Sequence, residues 1–255
     1  MTISRSPARP VLPRSLSLTL LAALSLALAA CGSSSPSGSS SPSGSSSATT
    51  VASTAARSAA ARRSLLVLAD LPTGWKADGS VTAATGPAAA SSKKLASCLG
   101  VPDWAIATNE PTEDSPTFDA PDGTTSVDDQ VEAFGTTAAA RRDYSTFSNT
   151  KTPGCLVSVL GPSIEQEAQQ SAGTGSTVGT VTAARQSLAR YGDESGQIVL
   201  QIPVSSSAGS TTVDLTLIDL TVGSLEATLT VSTVGGPAPA SLDHQVAAAA
   251  VRHMG

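Results

Sequence analysis

The sequence predicts an α+β fold: a curved antiparallel β-sheet with helices packed on one face, in a single domain. Three observations predict it. Apolar residues alternate at Ile198, Leu200, Ile202 and Val204, and again at Leu225, Ala227, Leu229 and Val231, the period of half-buried strands. Ala140, Tyr144 and Phe147 fall at i, i+4 and i+7 behind Thr136 and Thr137, the spacing and the cap of a helix with one face on a core. The chain beyond Ser64, about 190 residues, is enough for one substantial core and not for two.

The amino terminus reads as an address. Arg5, Arg9 and Arg14 form a positive region without acids, and Leu16 to Ala30 follow as an uncharged apolar run ending in small residues. That is the pattern of a secretory signal. As a helix the run reaches about 22 Å, short of the ~30 Å hydrocarbon core, so a removable segment fits better than a permanent span. It ends in Leu28-Ala29-Ala30-Cys31, which resembles the lipobox of bacterial lipoproteins. There Cys31 would be diacylated on sulfur and become the first residue of the mature protein. The alternative is an ordinary signal peptide cut after an Ala-x-Ala site, with Cys31 incidental. Residues 1–30 are therefore assigned as signal peptide, with Cys31 as the lipidation site.

Residues 31–63 are assigned as a flexible tether. From Gly32 to about Ala61 the chain is almost wholly Ser, Gly, Pro, Thr and Ala, with a near-duplicate at Ser34–Ser40 and Ser41–Ser46. Such a stretch is read as unable to bury a core, and thirty residues of it reach about 30 Å. It permits O-glycosylation. Residues 64–255 are the globular domain.

In that domain nine Lys and Arg face all twenty acids of the chain, a net charge near −11. It repels phosphate backbones, so nucleic acid is not an expected partner. Anionic head groups repel it too, so membrane contact is expected through acyl chains. Arg outnumbers Lys eleven to four, the bias of a GC-rich genome and an actinobacterial source. Seven aromatics leave the core to Val, Leu, Ile and Ala, and a staple would help so light a core. With Cys31 consumed by lipid, Cys98 and Cys155 form one possible intramolecular disulfide; the alternatives are two buried thiols or pairing with another chain.

Along the domain, Ser64 to Asp70 predicts a short helix stopped by Pro72 and Gly74. Lys76 to Ala84 predicts a strand, and Ser91 to Leu99, followed by Gly100, a short helix carrying Cys98. Asp103 to Gly123 reads as loop with a strand around Phe118. Val127 to Phe134 predicts a strand, followed by the helix through Phe147 that Asn149 and Pro153 end. Cys155 to Leu160 is ambiguous between helix and strand. Ser163 and Gln166 have capping-box spacing for a helix to about Gln170. Val178 to Leu188 predicts a strand, and Pro203 puts its own strand at an edge or a bulge. Val213, Leu215 and Leu217 open another strand, whose phase change at Ile218-Asp219-Leu220 means a bulge or a position buried on both sides. Ser241 is placed as the cap of a last helix with Leu242, Val246 and Ala250 on one face.

Val131-Glu132-Ala133-Phe134 leads into an Ala-rich helix with Tyr144 and Phe147, then Cys155, alternating strands and a closing helix. In that order of features the chain resembles actinobacterial lipoproteins and the extracellular sensor domain of mycobacterial PknH-type serine/threonine kinases, over about Leu65 to Met254. The resemblance implies a curved antiparallel sheet with helices on its face, a cleft for an unidentified ligand, and no enzyme. The chain departs from those sensors in having one cysteine pair rather than two. No kinase domain or transmembrane helix precedes the domain, so signalling to a cytoplasmic part is not expected.

Candidate chemistry is sparse. His244 and His253, both on the last helix at i and i+9, stand about 180° apart and cannot share a site. Ser91-Ser92-Lys93-Lys94 has the Ser-x-x-Lys spacing of penicillin-recognising enzymes without their companion motifs; a polar helix start explains it equally. Asp119, Asp122, Asp128 and Asp129 offer oxygens to Ca²⁺ in no known loop spacing, against a solvated acidic loop. Trp75 and Trp104 line a ligand cleft in one reading and plug the core beside Pro and Gly in the other. No catalytic residue, metal ligand or cofactor is assigned. The leading expectation is a non-enzymatic, lipid-anchored ligand-binding or sensor-like module on the outer face of the cytoplasmic membrane, with a small molecule, lipid or envelope protein as partner. A cell-envelope structural or assembly factor is the second reading, and a hydrolase with an unconventional site the third.

Overall fold

Each position of the run from Val213 to Thr221 is buried, on alternating sides of one continuous strand. A strand buried on both faces needs a covering layer on each, and the architecture follows from that. The computed structural model describes residues 52–84, 89–102, 110–172, 175–207 and 209–255. The expected signal segment, Cys31, the expected tether up to residue 51, and Trp104 lie outside them.

The fold is α+β in a single domain. Its strands are β1 (Lys76–Asp78), β2 (Thr82–Ala83), β3 (Thr112–Asp114), β4 (Thr117–Asp119), β5 (Thr125–Ala133), β6 (Thr177–Val178), β7 (Thr182–Gln186), β8 (Glu194–Ser206), β9 (Gly209–Val222) and β10 (Leu225–Val234). They form one sheet in the order β1-β4-β5-β10-β9-β8-β6, with β3 also on β5, β2 on β3 and β7 also on β8. All pairings are antiparallel. The helices are α1 (Thr54–Arg63), α2 (Ala89–Leu99), α3 (Thr137–Phe147), α4 (Thr152–Ala172) and α5 (Ala240–Met254), with a 3₁₀ turn at Leu68–Asp70.

The helices cover both faces of the sheet, which corrects the expectation of one. On the first face Ile198, Leu200, Ile202, Val213, Leu215 and Leu217 pack with Leu156, Ile164 and Ala168 of α4, and α2 adds Leu95, Ala96 and Leu99. On the second, Val127, Val131, Ile218, Leu220, Ala227, Leu229 and Val231 pack with Ala61 of α1 and Val246, Ala247 and Ala250 of α5. The polar alternation of β10, Glu226, Thr228 and Thr230, mimics a solvated face, but α3 packs over β8, β9 and β10 on that side. The phase change at Ile218-Asp219-Leu220 is this two-sided burial; β9 keeps an unbroken register with both neighbours.

Part of the stretch expected to be tether is helical. Residues 54–63 form α1, capped by the Ser53 hydroxyl. Only Ala61 of this helix is buried, so its docking is polar. Arg62 donates from Nε and Nη2 to Glu113 Oε2 (3.1 and 2.7 Å), Ser58 donates to Glu113 Oε1, and Arg57 pairs with Glu110. The expected helix over Ser64–Asp70 is only the 3₁₀ turn, because the Leu66 N–H is taken by Asp129 (3.1 and 3.2 Å) rather than by a preceding carbonyl.

The ambiguous stretch after Cys155 and the separate helix at Ser163 are one helix, α4, running through the exposed Pro162. The last helix starts at Ala240 behind Pro239, without a side-chain cap, rather than at Ser241. Pro203 sits opposite a bulge, as expected: the β6 and β7 registers against β8 differ by one residue across 179–181. Gly179 fits there because a Cβ would come within 3.2 Å of the Pro203 ring.

Candidate functional site

The most unusual chemistry lies under α3. Glu194 of β8 pairs with Thr221 of β9, Thr221 with Glu226 of β10, and Glu226 with Glu132 of β5, so one rung of the sheet carries three acids and a threonine. On the next rung Asp219 faces the same side, between Gly196 and Thr228. Like charges directly opposite one another destabilise a sheet, and burial sharpens the cost. Asp219, Thr221 and Glu226 are all at least 95% buried.

Three features of α3 hold it over this row. The Thr136 hydroxyl accepts from the Ala139 N–H (3.1 Å) and starts the helix. Tyr144 and Phe147 settle on the β8 backbone at Gly196, where a Cβ would meet the tyrosine oxygen at 3.1 Å and the Phe147 ring at 3.2 Å. Arg185 of β7 stacks on the Phe147 ring (5.6 Å) and donates to the carbonyls of Phe147 and Asn149, so a cation neutralises the carboxyl end of the helix.

Asp143 comes down from α3 to hydrogen-bond Glu226, which also hydrogen-bonds Asp219. Hydrogen bonds between carboxyl groups require protons. Burial pushes the Asp143 carboxyl up to about 7, against the lowering effect of Glu226. Burial and then the charges of its neighbours hold Asp219 and Glu226 well above the carboxylate range. Asp219 Oδ1, Thr221 Oγ1, Glu226 Oε2 and Glu194 Oε2 remain buried without a partner. Among the described residues, no three His, Cys, Asp or Glu side chains are grouped to hold a metal ion.

The residues singled out from sequence do not converge. Trp75 is half-buried against the second-face core. His244 Nδ1 meets the Tyr191 hydroxyl (2.8 Å) and His253 Nε2 meets Asp70 (2.8 Å), two separate places. Asp128 and Asp129 point to opposite faces of β5, Asp119 ends β4, and Asp122 accepts from Thr124 in a turn. Lys93 and Lys94 are exposed on α2. Cys98 and Cys155 are joined by a disulfide that ties α2 to α4. Glu226 is missed because it reads as the polar member of an alternating strand, and Asp219, expected at a bulge or a position buried on both sides, gives no sign of the acids around it. The available signal was their repetition at the same depth in β5, β8, β9 and β10.

No family model matches the chain, and no curated protein does. Among solved structures it is similar to the crystal structure of the extracellular domain of PknH from Mycobacterium tuberculosis, at 13% identity and a TM-score of 0.36, over 71% of this chain and 80% of that one.

Proposed function

We propose that the protein is a lipid-anchored extracytoplasmic module that binds or senses a ligand and is not an enzyme, held on the outer face of the cytoplasmic membrane by Cys31. The observation that carries the reading is the Cys98–Cys155 disulfide with Cys98 exposed, a bond that belongs in an oxidising compartment. The signal run, the Leu28-Ala29-Ala30-Cys31 sequence and the tether support the same place. The two histidines support the non-enzymatic part, since each is engaged in a structural contact far from the other. A helix seated on polar groups costs less to displace than one seated on an apolar core, which makes the space between α3 and the sheet the natural ligand cleft.

Metabolic labelling of the full chain in a bacterial host with an alkynyl fatty acid tests the anchor. Label and membrane retention are expected for the native sequence, and both are lost in Cys31→Ser. An unlabelled native protein overturns the anchor. Native mass spectrometry of the matured chain tests the ligand. A bound small molecule or lipid supports the cleft; an apo mass together with a crosslinked envelope protein moves the reading to an assembly factor.

A further inference from the structure

Five acids converge beneath α3: Glu194 from β8, Asp219 from β9, Glu226 from β10, Glu132 from β5 and Asp143 from the helix itself. The other titratable groups facing them are Tyr144, whose hydroxyl lies over Gly196, and Arg185, which is engaged with the carboxyl end of α3. Arg142, next to Asp143, is exposed. Asp219 and Glu226 are buried with no cation among the groups that act on them, and buried carboxylates without a compensating cation are not sustainable. Metal-holding geometry is missing among the described residues, and Asp219, Thr221 and Glu226 are too deeply covered for an organic cation. The cation that needs no cavity is a proton.

A second, independent observation points the same way. Thr221 Oγ1 is fully buried, carries no charge, and is left without a partner in the middle of the row, as are Asp219 Oδ1 and Glu226 Oε2. Those atoms have capacity to spare for a hydrogen-bonded proton. We infer that the carboxyls of Asp143, Asp219 and Glu226 form a proton-binding site whose occupancy seats α3 on the sheet, and whose emptying lifts α3 and opens the first face.

The mechanism is electrostatic. With protons shared, Asp143 and Asp219 each hydrogen-bond Glu226 and bridge helix to sheet. Without them, three carboxylates repel across the same gap, and the one that can move away is Asp143, together with its helix. The raised acids bind protons in the folded state that the unfolded chain has already released. Their stabilisation is therefore complete below the unfolded carboxylate range and is lost as pH rises through the folded value, about 7 for Asp143. The inference needs no lipid on Cys31, so its failure would leave the envelope placement untouched.

The test is hydrogen exchange of residues 137–147 in the full matured chain at about pH 5.5 and about pH 8.5, corrected for intrinsic rates, beside infrared detection of protonated carboxyls. Protection of α3 is expected to fall about tenfold per pH unit for each proton released on lifting, between the ordinary carboxylate range and the folded value, and to level off above it, while α5 keeps its protection. Glu226→Gln, which keeps shape and hydrogen bonding but cannot ionise, is expected to hold α3 protected at both values. Asp143→Asn, on the half-exposed helix, gives the same readout should the strand variant fail to fold. Protection of α3 that is independent of pH, or an unchanged pH slope in whichever variant folds, overturns the inference.

Discussion

Replacing Cys98 and Cys155 together by Ala removes a bond that closes a loop of 57 residues between α2 and α4. In the chain-entropy model a loop of this length is worth about 4 kcal/mol at room temperature. Truncating Cys155, which is buried in the first-face core, adds a small cavity cost of up to about 1 kcal/mol. For a domain of this size each kcal/mol moves the midpoint by roughly 2–4 °C, so the double variant should melt about 8–20 °C lower than the oxidised protein. The loss should be uneven. Without the bond α2 is held by the burial of Leu95, Ala96 and Leu99 in the first-face core, so protease should cut this helix first. Thermal unfolding by circular dichroism, with reduced wild type as a second reference, measures the shift, and timed proteolysis with mass readout locates the weak point. Oxidised and double-variant proteins melting within about 2 °C of each other would refute the reasoning. Two reactive thiols from Cys98 and Cys155 in the unfolded, unreduced chain would do the same.

Gly196→Val places carbons where Tyr144 and Phe147 rest, so it should cost about 1–3 kcal/mol and loosen α3 selectively, read by exchange of residues 137–147. Glu113→Gln weakens the carboxylate that receives Ser58 and Arg62; a loss of about 1–3 kcal/mol and early proteolysis within α1 are expected, and an α1 as resistant as before would contradict the ionic docking. Asp128 is pushed up to about 8 by burial, with Asp129 and then Asp114 adding to the effect. Asp128→Asn should therefore match wild type below about pH 4, gain on it steadily as the pH rises, and hold its full advantage, on the order of 6 kcal/mol, above about pH 8 in denaturant titrations. An advantage that appears in acid instead would reverse the sign of the argument.

Elements whose stability is decided locally were legible in the sequence. The alternation in β8 and β10, the Thr136 cap of α3 and the buried face of α5 each follow from residues within a few positions of one another. What escaped depends on partners far along the chain. Helix α1 lies in an Ala-rich run with almost no apolar face, and Arg57 and Arg62 find their carboxylates more than fifty residues away. The single helix α4 was hidden because Ser163 and Gln166 have the spacing of a new helix start, while the chain runs on through Pro162 on the exposed side. The covered side of β10 is the sharpest case, since a polar alternation says which face differs and not what lies over it. The candidate site shares this cause: Glu226 belongs to that polar alternation, and the two-sided position expected at Asp219 says nothing of the helix that brings Asp143 above it.

The first and last segments of the domain are tied to each other. Asp70 accepts from His253 and pairs with Arg252, Ser64 bonds the His253 carbonyl at 3.3 Å, and Gln245 donates to the Asp70 carbonyl at 2.6 Å. The carboxyl end of α5 is therefore fastened where α1 ends, while the amino end of α1 lies about 15 Å of helix away. There Arg57 donates to the Ala133 carbonyl, beside the Gly223-Ser224 hairpin that joins β9 to β10. A fluorescent reporter appended after Gly255 thus starts a helix length from the point where residue 53 enters the domain, whereas a label in the hairpin sits next to that point.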